Sequence, residues 1–394
     1  MKKVIKALLI LSLFICCSSC KNNNSINVHV ISDIHYAPRD LYEYTGVFAT
    51  NNDTNGTGKQ IKYQEEIIDA YINEELKNKP DYILITGDLV YSGYKEAHEK
   101  FSDKYKTLID NGIKVLVLPG NHDFDYQPFS YDGESMVYHE RLTKEEFIQI
   151  YADFGYNNAI SKDEDSLSYA YVLNDKNLLV ALDTLEKYGN TDGEFKQSTL
   201  DWIRDQFEYG KNRNMNIIVA GHHNLLIHNK MFDFGYRINN SEELIKLMKE
   251  YNVHLYLSGH MHIQDIASNN YLTEVLNESY SIYPHRYGEL IINKDEYTYS
   301  SKHVTNFNID DYDKNGYDFL FNNFEAKSLS KLKDSQDITK EEKEAIDKQT
   351  LINVEYFMGL TDNNDYSELE VSNYVKEILK YLSKDKLNIS GKLK

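Results

Sequence analysis

Cysteine is scarce in this chain of 394 residues, and its distribution is uneven. The three cysteines, Cys16, Cys17 and Cys20, all lie near the start of the chain. Beyond Cys20 no structural disulfide can form, so the folded body must depend on core packing, which its length permits. The sequence also lacks repeats and low-complexity tracts.

Long hydrophobic runs are absent as well. The most apolar run, Ala7 to Ile15, is shorter than the about 20 residues that a helix needs to cross a bilayer. Lysines precede this run and small residues follow it, which is typical of a secretory signal. The ending Cys17-Ser18-Ser19-Cys20 is similar to a bacterial lipobox, with Cys17 in the place of the more usual leucine.

These features predict where the protein works. We expect residues 1–20 to be a lipoprotein signal peptide, Cys20 to carry the lipid, and residues 21–25 to form a polar tether. The protein would then be exported and anchored to the outer face of the bacterial cell membrane. Simple secretion, or an anchor that is retained, is the alternative.

Positive charge is in deficit. Lysine and arginine number 43 against 62 aspartate and glutamate residues, which gives a formal net charge of -19. Because long nucleic acids are bound largely by lysine and arginine, this balance argues against such a partner. Small anionic ligands are not excluded, since bound cations can offset the charge locally.

Five short polar clusters are present, each directly after an apolar run typical of a β-strand. The clusters are Asp33-Ile34-His35, Gly87-Asp88, Gly120-Asn121-His122-Asp123, Gly221-His222-His223 and Gly259-His260-Met261-His262. The preceding runs are Val28 to Ser32, Tyr82 to Thr86, Val115 to Leu118, Ile217 to Ala220 and Leu255 to Ser258. Several runs alternate with helical stretches, which predicts a sheet whose strand ends share one crevice, the usual ligand site of such sheets.

The clusters carry metal-binding chemistry. Carboxylate, amide oxygen and imidazole suit divalent Mn, Fe, Zn or Ni, and no cluster contains a thiolate. Two such ions about 3.5 to 4 Å apart can clamp a phosphate and generate a hydroxide nucleophile near neutral pH. The sequence therefore predicts two divalent metal ions of undetermined identity, with no need for a serine or cysteine nucleophile.

In this order the clusters resemble the calcineurin-like metallophosphoesterase family, whose pattern is D-x-H, G-D, G-N-H-D/E, H and G-H-x-H. The resemblance covers roughly Val28 to His303. Three further stretches look similar to exported, phosphodiesterase-like members of Gram-positive type: Gly87 to Gly93, Leu182-Asp183-Thr184 and Tyr283-Pro284-His285. The resemblance implies an α/β fold in which two facing β-sheets are flanked by helices (four layers, αββα), with the metal site at one edge.

The resemblance also implies roles for individual residues. One metal would be held by Asp33, His35, Asp88 and His262, and the other by Asp88, Asn121, His222 and His260. Asp88 would bridge the two ions, and a hydroxide between them would attack phosphorus. His122 would stand near the leaving oxygen as a proton donor or charge stabiliser, with Asp123 accepting a hydrogen bond that fixes its ring.

Other histidines leave alternatives open. His222 is favoured as the ligand over His223, which is the alternative ligand; otherwise His223 would be a neighbour of the ligand or a substrate contact. His285 and Arg286, in the turn from Tyr283 to Tyr287, would touch the substrate phosphate or simply order a loop. His98 lies in a charged helical stretch and is expected to be solvated.

The remaining sequence suggests two parts and a shaped substrate rim. Residues 26–304 would be the catalytic domain and residues 305–394 a helical C-terminal subdomain, with capping boxes at Thr339 and Ser367 and an apolar stripe from Val371 to Leu382 interpreted as packing surface. Two long connections, Tyr36 to Lys59 and Phe124 to Arg141, carry aromatic residues that would stack on substrate or pack the loops.

The expected activity is hydrolysis of a small phosphoester. We favour a phosphodiesterase acting on cyclic nucleotides or cell-envelope diesters; the alternatives are an extracellular phosphomonoesterase or nucleotidase, and a non-catalytic surface binding protein. The visible cations near the motifs are few: Arg39, His223, His285 and Arg286. Because a monoester carries additional negative charge, this scarcity favours diesters. The sequence leaves the oligomeric state open.

Overall fold

The computed structural model describes residues 25–124, 127–185, 187, 191–230, 233–330, 339–359 and 387–394. The predicted signal peptide, the lipidation site Cys20 and the apolar stripe from Val371 to Leu382 lie outside these residues. Among the described helices, none combines the length and the apolar character that crossing a membrane requires.

In chain order the strands are β1 (Ser25–Ile31), β2 (Tyr82–Thr86), β3 (Lys114–Leu118), β4 (Phe129–Asp132), β5 (Ser135–Tyr138), β6 (Ser161–Lys162), β7 (Tyr169–Asn174), β8 (Asn177–Leu182), β9 (Asn216–Gly221), β10 (Leu255–Ser258), β11 (Asp265–Ser268), β12 (Thr273–Leu276), β13 (Arg286–Asn293), β14 (Glu296–His303) and β15 (Asn388–Lys392). The helices are α1 (Gly46–Thr54), α2 (Gln64–Asn78), α3 (Lys95–Asp110), α4 (Lys144–Ile150), α5 (Gln197–Asn212), α6 (Ser241–Glu250), α7 (Tyr312–Ser330) and α8 (Lys340–Phe357).

The strands form two large sheets. The first has the order β15-β14-β13-β1-β2-β3, and the second has the order β11-β12-β10-β9-β8-β7-β6. Strands β1, β2 and β3 are parallel, as are β8, β9 and β10. Strands β2, β8 and β9 are buried along their whole length. Parallel strands that are covered on both faces have such continuous apolar sequences.

The two sheets face each other across one large hydrophobic core. Side chains of both sheets, such as Leu84 and Leu257, belong to the same buried cluster. Two tyrosine hydroxyls bridge the sheets, from Tyr82 to the carbonyl of Leu173 and from Tyr169 to the carbonyl of Val117. Helices α5 and α6 contribute buried side chains to a second cluster on the outer face of the second sheet.

The two-sheet expectation is thereby confirmed, whereas the pattern-based prediction of a single sheet with one crevice is wrong. Of the five strands that precede the polar clusters, β1, β2 and β3 lie in the first sheet, and β9 and β10 lie in the second. Alternation of strands and helices does not encode this division, because each half of the chain builds parallel strands in the same way. The polar clusters meet where the ends of both sheets adjoin.

The C-terminal helices pack against the body formed by the two sheets. Helices α7 and α8 bury Leu320, Phe324 and Val354 against Ile282. Thr339 directly precedes α8, as the predicted capping box requires, although the side chain of Glu342 lies outside the description. Strand β15, which the sequence did not predict, pairs with β14 and extends the first sheet.

Candidate metal centre

The loops after five strand ends converge on one buried point. The amide of Asp33 donates to the carbonyl of Gly87 (3.1 Å), and the amide of Gly259 donates to the carbonyl of His222 (3.0 Å). The amide of His260 donates to Asp33 Oδ2 across the two sheets (2.9 Å). A Cβ on Gly259 would collide with the side chains of Ser32 and Asp33, so glycine permits this close approach.

Two groups of potential ligand atoms share the carboxylate of Asp88. The ligand atoms within each group lie within 4.8 Å of one another, and the groups consist of Asp33, His35, Asp88 and His262, and of Asp88, His222 and His260. The Nε2 atom of His222 lies 3.4 Å from Asp88 Oδ2 and 3.2 Å from the Oδ1 of Asn121. The structure therefore brings together all seven residues expected to hold metal.

Unpartnered carboxylate oxygens at the centre fit bound cations. Asp33 Oδ1 and Asp88 Oδ2 are buried and have no hydrogen-bond partner among the described residues. The second oxygen of each carboxylate accepts a hydrogen bond: Asp33 Oδ2 from Ser32 Oγ (2.6 Å) and Asp88 Oδ1 from the His122 amide (2.8 Å). Imidazole nitrogens lie close to both atoms, with His262 Nε2 3.2 Å from Asp33 Oδ1 and His222 Nε2 3.4 Å from Asp88 Oδ2. A divalent ion with oxygen and nitrogen ligands would satisfy these carboxylates and imidazoles together.

The charges at the centre are strongly coupled. Burial acts to raise the pKa of Asp88, but His222 and other neighbouring histidines outweigh it and hold the pKa well below its usual range. Burial likewise opposes protonation of His222, yet Asp88 and Asp33 raise its pKa to about 9. For His260, burial and the nearby His222 lower the pKa to about 4. In the absence of metal, the raised pKa favours a protonated His222, whose charge would offset part of the carboxylate charge.

His222 faces the centre, whereas His223 supports it from behind. His222 Nδ1 donates to the carbonyl of Thr86 (2.8 Å), which leaves Nε2 directed at Asp88. His223 is fully buried and bonds Thr184 Oγ1 (2.7 Å) and the carbonyl of Thr191 (2.9 Å). Its ring packs on His260 with 4.3 Å between centroids. Of the roles considered for His223, which include that of the metal ligand, the neighbour of the ligand fits this geometry.

His122 lies beside the centre, but Asp123 does not orient it. The ring of His122 contacts His35 edge-on at 4.6 Å, and its Nδ1 donates to the carbonyl of Tyr91 (3.1 Å). Asp123 instead accepts from the amides of Leu89 and Gly120. The expected Asp123–His122 bond is therefore a wrong prediction: Asp123 ties the loop after β2 to the loop after β3, and Tyr91 holds the ring.

His98 contributes to the same support. It was expected to be solvated, but it is fully buried, with Nδ1 on the hydroxyl of Tyr151 (2.8 Å) and Nε2 on the carbonyl of Asp123 (3.2 Å). Burial lowers its pKa to about 3. The helical spacing of His98, Phe101 and Tyr105 places all three on the buried face of α3.

His285 and Arg286 do not reach the centre. His285 is fully buried, with Nδ1 on the carbonyl of Tyr280 (2.7 Å) and Nε2 on the hydroxyl of Tyr312 (2.5 Å). Arg286 donates to the carbonyl of Met358 (3.0 Å) and lies 3.5 Å from a carboxylate oxygen of Glu278. The suggestion that they contact substrate is not supported, and the loop-ordering alternative accounts for both.

The aromatic residues of the two long connections mostly pack against one another. Phe48 stacks on Tyr131 at 4.7 Å, and Tyr42 packs edge-on against Tyr91 at 5.5 Å. Tyr42 and Phe48 are buried. The packing interpretation therefore fits these residues. The exception is Tyr138 in β5, which is 57% exposed.

Sequence reasoning missed one cation near the centre. Lys59 is only 5% exposed, and its ammonium lies 5.6 Å from the ring centre of Tyr91. Burial, followed by the charge of Lys59, lowers the pKa of His35. Lys59 ends a long connection without periodicity, and no local pattern in the sequence marks it.

Most ligand candidates have an unusual backbone conformation. The φ angle is positive at Asp33 (50°), His35 (47°), Asp88 (53°), His260 (74°) and His262 (64°). Aspartate, asparagine and histidine tolerate this left-handed region better than other residues with side chains. Such conformations cost free energy and cluster at functional sites, where the surrounding structure enforces them.

Comparisons with known proteins agree with this geometry. Residues 26–264 match the calcineurin-like phosphoesterase family. The chain is 27% identical over 196 residues to the 3',5'-cyclic adenosine monophosphate phosphodiesterase CpdA of Haemophilus influenzae, covering 50% of this chain and 59% of that relative. The fold of the present chain is similar to that of a dimetal phosphatase from Danio rerio, with a TM-score of 0.54 and 12% sequence identity. The similarity covers 72% of this chain and 97% of the other. The chain belongs to the calcineurin-like phosphoesterase family.

Proposed function

We propose that the protein is a dinuclear-metal-dependent phosphodiesterase that hydrolyses small diesters, such as cyclic nucleotides or cell-envelope phosphodiesters. The observation that carries the proposal is the pair of ligand groups sharing Asp88, with His122 beside them. The resemblance to a cyclic-nucleotide phosphodiesterase supports the diester preference, although it spans little more than half of that relative.

The residues of the centre have distinct tasks. Asp33, His35, Asp88 and His262 would hold one ion, and Asp88, Asn121, His222 and His260 the other. Two ions held there would polarise the phosphoryl group and lower the pKa of water at the site. Asp88 would be shared by both ions, and the carbonyl of Thr86 fixes the ring of His222.

His122 would handle the proton that the leaving group needs. Its Nδ1 donates to the carbonyl of Tyr91, which fixes the ring beside the centre. A protonated ring would donate from Nε2 to the departing oxygen, and a positioned acid of this kind contributes roughly 100-fold or more. The amide of His122 binds Asp88 Oδ1, which couples its position to the centre.

The surroundings fit a diester better than a monoester. Arg39 is exposed and paired with Glu66 (2.8 Å), and His285 and Arg286 are bonded elsewhere. Neither the two arginines nor His285, whose pKa burial lowers to about 4, therefore supplies the additional positive charge that a monoester dianion calls for.

Hydrolysis of two model substrates tests the proposal. The purified full-length protein, reconstituted with Mn²⁺, would be assayed on bis-p-nitrophenyl phosphate and p-nitrophenyl phosphate side by side. We expect clear preference for the diester. Preference for the monoester would replace the proposal with phosphomonoesterase activity. Two bound ions with no hydrolysis of either ester would instead indicate a binding protein.

We also propose that the protein is exported and anchored through a lipid on Cys20. The support is the sequence alone, namely the lysines, the apolar run and the lipobox-like ending of residues 1–20. Cys20→Ser should move the protein from the membrane fraction to the soluble fraction. Unchanged fractionation would argue against lipidation.

A further inference from the structure

The strand ends opposite the metal centre form a separate surface. Strands β1, β2, β3, β9 and β10 run toward the centre, so their first residues lie at the other end of the two sheets. Ser25, at the start of β1, is paired with Asn293, at the end of β13. The second sheet reaches the same place, because Asn216 Nδ2 at the start of β9 donates to the carbonyl of Lys294 (2.6 Å). This region, the basal end, comprises the starts of β1, β2, β3, β8, β9 and β10, the turns and helix ends that lead into them, and the turn between β13 and β14.

Cations gather at the basal end. Six basic side chains there are exposed and form no ion pair with a carboxylate among the residues that the structure describes: Lys77, Lys79, Lys176, Lys211, Arg213 and Lys294. They come from four separate connections, those into β2, β8, β9 and β14. Basic residues are in the minority in this chain, whose formal net charge is -19, so their concentration at one end makes the charge distribution uneven.

Acidic residues at the basal end do not cancel this charge. Three of them already have a basic partner: Asp110 with Lys106 (3.2 Å), Glu250 with Arg204 (3.0 Å) and Asp295 with Lys394 (3.7 Å). The exposed carboxylates without such an ion pair, within the described part of the chain, are Asp175, Glu208 and Glu296. The basal end is therefore positive, whereas the protein as a whole is strongly negative.

The predicted polar tether joins the protein at this end, because Ser25 begins β1. A lipid on Cys20 would be attached five residues before Ser25, and an extended chain spans at most about 3.6 Å per residue, so the lipid would lie within about 18 Å of Ser25. Strand β1 then carries the chain about 20 Å toward the metal centre. The basal end is therefore the end that a lipid on Cys20 would hold near a bilayer.

Anionic lipid headgroups fit such a surface. Lysine and arginine are attracted to an anionic bilayer, and the attraction falls off within a Debye length, about 10 Å at moderate salt. The acidic remainder of the protein would be repelled by the same bilayer. We propose that the basal end docks on anionic lipid headgroups, which leaves the metal centre on the side away from the bilayer. The docking is weak by itself, so it orients an anchored protein and does not replace the lipid on Cys20.

Vesicle sedimentation of the Cys20→Ser protein tests the docking without the lipid. The full-length, Mn²⁺-loaded protein, freed of excess metal, would be mixed at low salt with vesicles of phosphatidylcholine, or of equal parts phosphatidylcholine and phosphatidylglycerol. The lysines and the apolar run of residues 1–20 can also bind vesicles, but they are the same in every variant and cancel from the comparison. We expect stronger binding to the anionic vesicles, and a decline of that binding as salt is raised. Equal binding to both kinds of vesicle would overturn the proposal.

Substitution of three basal lysines isolates the surface. Lys79→Gln, Lys176→Gln and Lys294→Gln, combined in one protein, should weaken binding to anionic vesicles by about tenfold or more, because each lost charge reduces the attraction. Binding to phosphatidylcholine vesicles should stay the same. Arginine at the same three positions keeps the charge and should retain the affinity for anionic vesicles.

Three exposed lysines outside the basal end provide the matched control, namely Lys62, Lys162 and Lys314. Their combined replacement by glutamine removes the same charge and should weaken binding far less. Equal weakening by the two sets would show that only the net charge matters, which contradicts the proposal. Binding to anionic vesicles that the basal substitutions leave unchanged would contradict it as well.

Inorganic polyphosphate tests the competing kind of partner, a linear polyanion. Added at the same phosphate concentration as the anionic vesicles, it should leave most of the protein bound to them. If it released the protein, a linear polyanion would fit the basal end better than a lipid surface, and the proposal would be wrong. None of these results depends on ester hydrolysis, so this inference and the proposed function can fail separately.

Discussion

Replacing His228 by glutamine should change how the stability of the protein depends on pH. His228 is buried near the centre, with Nδ1 2.9 Å from Asp265 Oδ2 and Nε2 3.5 Å from Glu274 Oε2. The carboxylate of Glu274 also accepts from the amide of Leu225 and the hydroxyl of Ser258. This network joins the turn after β9 to the end of β10, the two strands that present His222 and His260.

The magnitude follows from the pKa of His228. Burial lowers it, but Glu274 and Asp265 outweigh burial and raise it from 6.5 to about 9. Because the folded pKa exceeds the unfolded value, the stabilisation is fully present below about pH 6.5 and is lost as the pH rises through about 9. The difference between the two pKa values corresponds to roughly 3 kcal/mol of unfolding free energy.

Urea unfolding of the metal-free protein at pH 6.5 and pH 9.5 would measure this. His222 also titrates in that range, but equally in both proteins, so it cancels from the difference between wild type and His228→Gln. That difference should shrink by roughly 3 kcal/mol between the two pH values.

His285→Gln is the control, because burial holds the pKa of His285 at about 4, so that the folded protein keeps this ring neutral throughout the range. Its difference from wild type should change by less than about 0.5 kcal/mol, which comes from the half-protonated imidazole of the unfolded chain at pH 6.5. If the His228→Gln difference were equally constant, the ion pairs of His228 would not have the strength inferred here.

Three other substitutions test the centre and its surroundings. Asp88→Asn should reduce binding of both ions and lower kcat/KM by roughly 1000-fold, since the shared carboxylate is lost; full metal content and normal turnover would refute the bridging role. His122→Ala should keep both ions and slow esters with poor leaving groups more than activated aryl esters, and a collapse in metal content would show that His122 is a ligand. Arg286→Met should lower the unfolding free energy by about 3 kcal/mol, because Glu278 loses its buried partner, without raising the Michaelis constant; a raised constant with unchanged stability would return Arg286 to the substrate site.

The candidate ligands were predictable because each follows a strand directly. Asp33, Asp88 and His222 come one or two residues after β1, β2 and β9, so the local pattern of apolar run and polar cluster is sufficient to find them. The facing sheets were expected only from the family resemblance. Strand pairing between distant segments leaves no mark in local periodicity.

Residues whose roles depend on distant contacts were missed. Lys59 is buried in a segment with a distant contact: the amide of its neighbour Gly58 donates to Asn323 Oδ1, and nothing near Lys59 in the sequence reports that contact. Adjacent residues were also misjudged: His122 and Asp123 lie in a tight 3₁₀ helix, Asn121–Phe124, and consecutive helical side chains point in different directions. The charged residues next to His98 in the sequence indicated a solvated position, whereas its helical spacing from Phe101 and Tyr105 places it on the buried face of α3.

The left-handed backbone at the ligand positions restricts how this centre can evolve. Asp33, Asp88 and His260 all have positive φ, where most side chains cost roughly 1 to 3 kcal/mol. A single mutation to cysteine there would therefore bring a backbone penalty together with the new thiolate. Aspartate, asparagine and histidine escape most of it. The backbone conformation therefore opposes the evolution of a site for metals that prefer sulfur ligands. It does not oppose an exchange among metals that prefer oxygen and nitrogen ligands.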